Sequence, residues 1–284
     1  SAPPATLGWT FLFGLLWWIG GLTFGLSVRY LGMSLGYGVA LGFCAAFGTL
    51  IPAIHDGSIL TLLTTASGWV VLSGILVCLL GIGLCGYAGH LKEVALTKEE
   101  EDKQDFHLVR GLLLAGFAGL MSACMAFGFA AGKPIAESAV ASGTDPLWVN
   151  NAVLVVVLLG GFVTNALWCG YLICSKGSWK DYTDTKAPLV RNFSFAALAG
   201  VTWYLQFMFY GMGSTKMGDY DFTSWTLHMS FIIIASNLWS LYLKEWKGAG
   251  RKTIGMLVAG ILVIAFSTVL IGLGNYLQAN AGTH

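Results

Sequence analysis

The chain has 284 residues, of which 56% are apolar and only 10% are Asp, Glu, Lys or Arg, and its formal net charge is +1. An ordinary soluble domain carries about 25% charged residues, so this composition excludes a water-soluble protein, and the balanced charge gives no indication of a nucleic-acid partner. We therefore expect an all-α polytopic membrane protein whose outer surface lies against the lipid bilayer.

Eight apolar segments are long enough to cross a hydrocarbon core of about 30 Å. In chain order, the spans are predicted at 7–28, 34–54, 67–89, 108–131, 147–174, 192–213, 223–243 and 253–275. The longest polar stretch follows the third span and divides the chain. We expect an incomplete first repeat of three spans (1–91), a charged cytoplasmic connector (92–107) and a second repeat of five spans (108–284).

The positive charges predict how the spans are oriented. All Lys and Arg residues except Lys133 and Lys216 fall in alternate connections between the predicted spans. Because cytoplasmic loops of membrane proteins are enriched in Lys and Arg, this alternation favours eight crossings. It also places both ends of this chain outside the cytoplasm, on the periplasmic side of a bacterial membrane.

The first and sixth predicted spans share a pattern of aromatic residues and glycines at a constant offset of 186 residues. The matched pairs are Gly14 with Gly200, Trp17 with Trp203, Trp18 with Tyr204, Phe24 with Tyr210, and Gly25 with Gly211. In an alternating chain these two spans run in opposite directions, so the two copies are inverted. Inverted repeats are a building plan of secondary transporters, which bind the substrate near the midplane between the copies.

No sequence motif for enzyme catalysis or nucleotide binding is found. The six cysteines lie in apolar segments and lack the spacing of metal ligands. We therefore expect no enzyme activity, no catalytic residues, no metal and no cofactor.

Five segments of the chain resemble the bacterial L-rhamnose–proton symporter family of the drug/metabolite transporter superfamily. They are LWWIGGLTFGLSVRYLGMSLGYGVALG (16–42), GKPIAESAVASGTDPLWV (132–149), WYLQFMFYGMG (203–213), DFTSWTLHMSF (221–231) and LKEWKGAGRK (243–252). The resemblance implies a carrier with a five-plus-five inverted repeat in the bacterial inner membrane. It would import a deoxy sugar with a proton by alternating access, and the substrate would be L-rhamnose or a related sugar.

Eight spans instead of ten imply that this chain lacks the first two helices of that fold. The sequence leaves two alternatives open: another metabolite carrier or exporter of the same superfamily, or a membrane fragment that binds a sugar without transporting it. It does not determine the oligomeric state.

A neutral sugar binds through aromatic faces and uncharged hydrogen-bonding side chains. Trp203, Gln206 and Tyr210 fall at positions i, i+3 and i+7 of one predicted helix and so share a face. The other candidates for sugar binding are Trp17, which is the repeat mate of Trp203, together with Trp225 and Asn165. The alternative is that these rings only pack or lie in the aromatic belt at the membrane surface.

Three residues are candidates for proton coupling. His228 is the ionisable side chain placed well inside a predicted span, and intramembrane ionisable groups are costly and often functional. Its structural alternative is a neutral histidine bonded between helices. Asp221 and Glu137 lie near predicted helix ends, where Asp221 could instead cap a helix and Glu137 could pair with Lys133 four residues earlier.

Overall fold

The computed structural model of the protein describes residues 2–31, 33–96, 107–184 and 186–281. Within these ranges the secondary structure is helical, with short turns between the helices, and contains no strand. Its helices are α1 (Pro4–Leu31), α2 (Met33–His55), α3 (Ser58–Thr64), α4 (Ala66–Leu96), α5 (Leu108–Ala131), α6 (Lys133–Ala141), α7 (Asn150–Lys176), α8 (Leu189–Ser214), α9 (Thr223–Tyr242) and α10 (Arg251–Ala281). The prediction of an all-α fold is confirmed, and each of the eight long helices coincides with one predicted apolar segment to within a few residues at either end, apart from longer extensions such as that of α4.

Six helical stretches in the described ranges are long and apolar enough to cross a membrane. They are Pro4–Leu31, Gly36–His55, Ala66–Ala95, Val109–Ala141, Asn150–Lys176 and Arg251–Asn280. Helices α8 and α9 are not among them, although they have 26 and 20 residues, because polar residues such as Asn192, Gln206 and Asn237 lower their mean hydropathy. The chain is therefore a polytopic membrane protein with at least these six candidate spans.

Two short helices were not predicted. Helix α3 begins after Gly57, whose φ of 75° lies in the left-handed region that glycine adopts without steric cost. Helix α6 begins where α5 ends, because Pro134 lacks the N–H that a continuing helix would need. The predicted connector at 92–107 also differs: α4 extends to Leu96, and residues 97–106 of the connector lie outside the described ranges.

The ends of the long helices gather at two ends of the bundle. At one end, which we call the Lys133 end, the Lys133 ammonium lies 3.0 Å from Asp221 and 3.7 Å from Asp56. At the opposite end, which we call the Lys92 end, the Lys92 ammonium lies 4.8 Å from the centre of the Trp246 ring. Helices α2 and α9 each extend from one of these ends to the other.

Helices α4 and α10 form the longest seam of the bundle and run antiparallel. Ile271 lies against Gly74 and Ile264 against Gly81, so rising residue numbers on α4 meet falling numbers on α10. A Cβ atom added to Gly81 would lie 2.6 Å from the Ile264 side chain, which is too close for any real contact. Glycine at this position therefore sets the close approach of the two helices.

The main hydrophobic core lies among α2, α4, α5, α7, α9 and α10. Helix α8 is the exception, because nearly all residues from Val190 to Trp203 are exposed. Only its second half packs into the bundle, where Phe207 and Gly211 are buried. That second half carries three of the six candidates for sugar binding, Trp203, Gln206 and Tyr210.

Candidate functional site

Three aromatic residues, Trp17, Trp203 and Phe207, join α1 to the second half of α8. The rings of Trp17 and Trp203 stack with centroids 5.6 Å apart and an interplanar angle of 11°. Phe207 packs edge-on against both, at 5.3 Å from Trp17 and 5.1 Å from Trp203. The structure thus brings together two of the predicted sugar-binding residues, which the sequence pairs as repeat mates.

The ring contacts continue from α8 to α9 through His228. Its imidazole lies 5.7 Å from Phe207, 4.8 Å from Tyr210 and 5.6 Å from Trp225. Tyr210 and Trp225 also meet edge-on at 5.6 Å. We call the continuous set Trp17, Trp203, Phe207, Tyr210, Trp225 and His228 the aromatic cluster.

The Trp225 ring is fixed by α2. Its indole N–H donates to the carbonyl oxygen of Cys44 at 3.1 Å, and the ring occupies the space that a side chain at Gly48 would fill. Trp225 is only 2% exposed. Gly48 of α2 therefore leaves the space in which the Trp225 ring packs against α2.

His228 lacks a protein partner at one of its ring nitrogens. The Nε2 atom is buried and has no hydrogen-bond partner among the described residues. A buried polar atom without a partner is uncommon and calls for a functional explanation or for bound water. In the described part of the chain, Nε2 therefore takes no part in a hydrogen bond between helices.

A small cavity of about 60 Å³ lies beside Tyr210 and Trp225 and extends towards the Lys133 end. We call it the Lys133 cavity. Its polar lining includes Asn150, whose amide donates to Ser214 at 2.8 Å, and Ser224, whose hydroxyl donates to that of Tyr210 at 3.2 Å. Pockets for small ligands span about 300–1,000 Å³, so in this conformation the cavity admits water and not a sugar.

An ionic network from three helix ends lines the Lys133 cavity. Lys133 begins α6, Asp56 follows α2, and Asp221 precedes α9; all three line the cavity. Lys133 pairs with both aspartates at 3.0 Å and 3.7 Å. The side chains are 37–51% exposed, so solvent weakens these pairs and they contribute at most about 1 kcal/mol each to stability.

This network bears on two structural alternatives: that Asp221 caps a helix and that Glu137 pairs with Lys133. The N-cap position of α9 is Phe222 and no side chain caps it, so Asp221 is held by Lys133 and does not act as a helix cap. Lys133 in turn pairs with Asp221 and Asp56, and the carboxylate of Glu137 stands on the exposed face of α6.

The structure does not bring every predicted residue into this site. Asn165 lies on α7, where its side-chain oxygen accepts from the Cys169 thiol of the same helix at 3.5 Å. Gln206 is half-buried on α8 beside Phe207, and neither amide lines the Lys133 cavity. Glu137 is absent from that lining as well.

Sequence reasoning missed Phe207, Asn150 and Asp56. Phe207 follows Trp203 by four residues, which is helical spacing, and could have been selected on that ground. Asn150 and Asp56 lie at helix ends, where polar residues are ordinary, and no local signal distinguishes them. Within the described ranges, no group of three or more His, Cys, Asp or Glu side chains could hold a metal ion.

Comparison with known proteins identifies the family. The family model of the L-rhamnose-proton symport protein matches residues 3–276. An L-rhamnose-proton symporter of Citrobacter koseri is 40% identical over 276 residues, which covers 95% of this chain and 79% of the relative. Those of Yersinia pestis and Enterobacter sp. strain 638 are 40% identical over 274 and 280 residues, with coverage of 95% and 79%, and of 96% and 80%. No solved structure matches the chain. The chain belongs to the L-rhamnose-proton symport protein family.

Proposed function

We propose that this protein carries L-rhamnose together with a proton across the bacterial inner membrane, as its relatives are named to do. The observation that carries this proposal is the family match over residues 3–276, and the relatives span almost the whole chain at 40% identity. The protein is therefore a transporter and not an enzyme. Import against a sugar gradient would draw its free energy from the proton gradient.

The proposed architecture is two inverted repeats in which all eight long helices cross the bilayer. Moved by 186 residues, the bounds of α1, α2 and α4 fall within a few residues of those of α8, α9 and α10. The paired helices also meet each other: Trp17 stacks on Trp203, Thr49 bonds Thr226 at 2.6 Å, and α4 packs along α10. Contact between equivalent helices is expected where they lie close to a twofold axis in the membrane plane.

The same symmetry suggests that two further helices complete the fold. In this arrangement α5 and α7, which pack against α1, have no mates among the described helices. Their mates would pack against α8, whose first half is exposed in the structure. A ten-helix fold with 1–91 as part of one repeat and 108–284 as the other is therefore the architecture we propose.

We place the sugar in the Lys133 cavity, against the aromatic cluster. Tyr210 and Trp225 would offer their rings to the apolar C–H face, and Asn150, Ser214 and Ser224 would bond the hydroxyls. The cavity of about 60 Å³ is too small for a sugar, so binding requires separation of the helices that carry Asp56, Lys133 and Asp221. Alternating access would then consist of breaking and remaking this ionic network.

We propose that His228 carries the coupled proton. Asp221, which lines the Lys133 cavity, would accept the proton first. His228 contacts the rings of both Tyr210 and Trp225, so a change in its charge would act directly on the sugar site. Asp221 shares Lys133 with Asp56, and its protonation would weaken the network that closes the cavity. Glu137 stays a candidate for proton coupling on the ground of the sequence alone, and its side chain is exposed on α6.

The test is uptake of radiolabelled L-rhamnose by proteoliposomes containing the purified chain under an imposed proton gradient. Accumulation that an uncoupler abolishes is the expected result. Efflux driven by the gradient would indicate an exporter of the same superfamily. Binding in detergent without uptake would indicate a membrane fragment that binds the sugar and does not transport it.

A further inference from the structure

A second cavity lies at the Lys92 end of the bundle, outside the site described above. It measures about 290 Å³ and lies between α2, α4, α9 and the connection from α9 to α10. Its polar and aromatic lining includes Tyr37, Lys92, Asn237, Ser240, Glu245 and Trp246. We call it the Lys92 cavity. It is several times larger than the Lys133 cavity and close to the lower limit of about 300 Å³ for small-ligand pockets.

One wall of the Lys92 cavity is a connected polar network. The Trp246 indole N–H donates to the Ser240 hydroxyl at 2.8 Å, and this hydroxyl donates to the Glu245 carboxylate at 2.7 Å. Trp246 is only 6% exposed, and the Lys92 ammonium lies over its ring at 4.8 Å. A hydroxyl that both accepts and donates fixes the carboxylate at the cavity surface before any ligand arrives.

The charges of this lining favour a neutral ligand. Lys92 and Glu245 contribute one positive and one negative charge to the same cavity, so neither an anion nor a cation gains from the site as a whole. A molecule with neighbouring hydroxyls both donates and accepts hydrogen bonds. It can therefore satisfy the carboxylate, the ammonium and the Asn237 amide together.

The two cavities lie along the same helix with an apolar layer between them. Trp225 and Asn237 are twelve residues apart on α9, which corresponds to about 18 Å along a helix axis. Between them Met229 and Ile233 are buried in the same hydrophobic cluster as Trp225, and Leu41 packs against it. The distance is large enough for separate ligands, and the layer separates the two sites.

We propose that the Lys92 cavity is a second sugar-binding site, at which Asn237, Glu245 and Lys92 hold the transported sugar on the far side of the apolar layer. This inference rests on the proposed function, because it takes the same substrate. It adds to that function a place where the sugar stays bound while the Lys133 end is closed. Release from this site would be a step separate from binding beside Trp225.

Equilibrium binding of radiolabelled L-rhamnose to the purified protein in lipid nanodiscs tests the proposal. We expect two sugars per chain in the wild type. Asn237→Leu combined with Glu245→Gln should reduce this to one, and Trp225→Leu or Asn150→Ala should remove the other. Trp239→Leu, an exposed position on the same helix (64%), is the matched control and should retain both.

The outcomes separate this proposal from the function on which it rests. One sugar per wild-type chain, lost in Trp225→Leu and unchanged in the Asn237→Leu, Glu245→Gln double variant, would overturn the second site and leave the carrier intact. No binding by the wild type would overturn the proposed function and the second site with it. Retention of one site in the double variant also shows that this variant is folded.

Discussion

Trp17 of α1 and Trp203 of α8 stack with an interplanar angle of 11°, although 186 residues separate them in the chain. These are the tryptophans that the sequence pairs by its internal repeat. Residues related by a twofold axis touch each other only when they lie close to that axis. The stacked pair therefore marks the centre of the proposed two-repeat arrangement, next to the aromatic cluster.

Replacing Trp203 should weaken sugar binding. Trp203 does not line the Lys133 cavity, so Trp203→Ala acts through the loss of its contact with Phe207, which packs against His228. We expect an increase in the sugar Kd of up to about tenfold, which corresponds to about 1.4 kcal/mol. Gln206→Ala should weaken binding in the same direction. Trp69→Ala, at an exposed position of α4 (59%), is the control, because Trp18 itself stacks on Trp203 at 6.1 Å. Equal increases in Kd for the Trp69 and Trp203 variants, measured by radioligand binding, would contradict this assignment.

Replacing His228 should separate binding from coupling. His228→Gln keeps a polar side chain among Phe207, Tyr210 and Trp225 but cannot carry a proton, so sugar-dependent proton uptake should disappear while the Kd changes less than about threefold. A pH-sensitive dye in proteoliposomes measures the proton uptake. His107→Gln, at an exposed position before α5, is the control. Proton uptake at the wild-type level in the His228 variant would remove this residue from the mechanism.

The Lys133–Asp221 pair should affect the transport rate more than stability. Both side chains are partly exposed, so Asp221→Asn should lower the free energy of unfolding by at most about 1 kcal/mol. It should change the rate of sugar entry clearly, because both side chains line the Lys133 cavity, where we propose that the sugar enters. The charge swap of Lys133→Asp with Asp221→Lys should restore part of the rate. A rate of sugar entry in Asp221→Asn equal to that of the wild type would argue against a gating role.

Two glycines on α4 provide a matched test of the α4–α10 seam. Gly81→Ala places a Cβ atom 2.6 Å from Ile264, and such overpacking costs about 1–3 kcal/mol. Gly83→Ala meets no atom within 4 Å and should be neutral or stabilise the helix by up to about 1 kcal/mol. Thermal unfolding in detergent measures both. A lower unfolding temperature for Gly83→Ala than for Gly81→Ala would contradict the packing described here.

Cysteine labelling should test the orientation of the helices. Arg29 lies near the end of α1 at the Lys92 end, and Lys216 follows α8 at the Lys133 end. An impermeant thiol reagent should label Lys216→Cys in intact cells and Arg29→Cys only in inside-out vesicles. Lys133→Cys should behave like Lys216→Cys. Labelling of Arg29→Cys and Lys216→Cys from the same face would remove both the inverted repeat and the carrier mechanism based on it.

The amino-acid sequence by itself determined the eight long helices, the pairing of Trp17 with Trp203 and the family. Apolar segments of more than twenty residues have few options other than a helix, because lipid cannot satisfy backbone hydrogen bonds. The sequence also selected His228, Tyr210 and Trp225, since polar and ring-bearing residues are conspicuous within apolar spans. These properties are local, or repeat at a fixed spacing, and can be read along the chain.

Only the tertiary structure decided which side chains meet. Helices that are apolar on nearly all faces give no strong periodic signal for the side that packs inward, so the role of Phe207 and the exposed first half of α8 were not predicted. Lys133 has a carboxylate four residues away in Glu137, yet it pairs with Asp221 and Asp56 from other helices. Ion pairs and cavities between distant segments depend on how helices rotate and cross, which is set by close packing at residues such as Gly48 and Gly81.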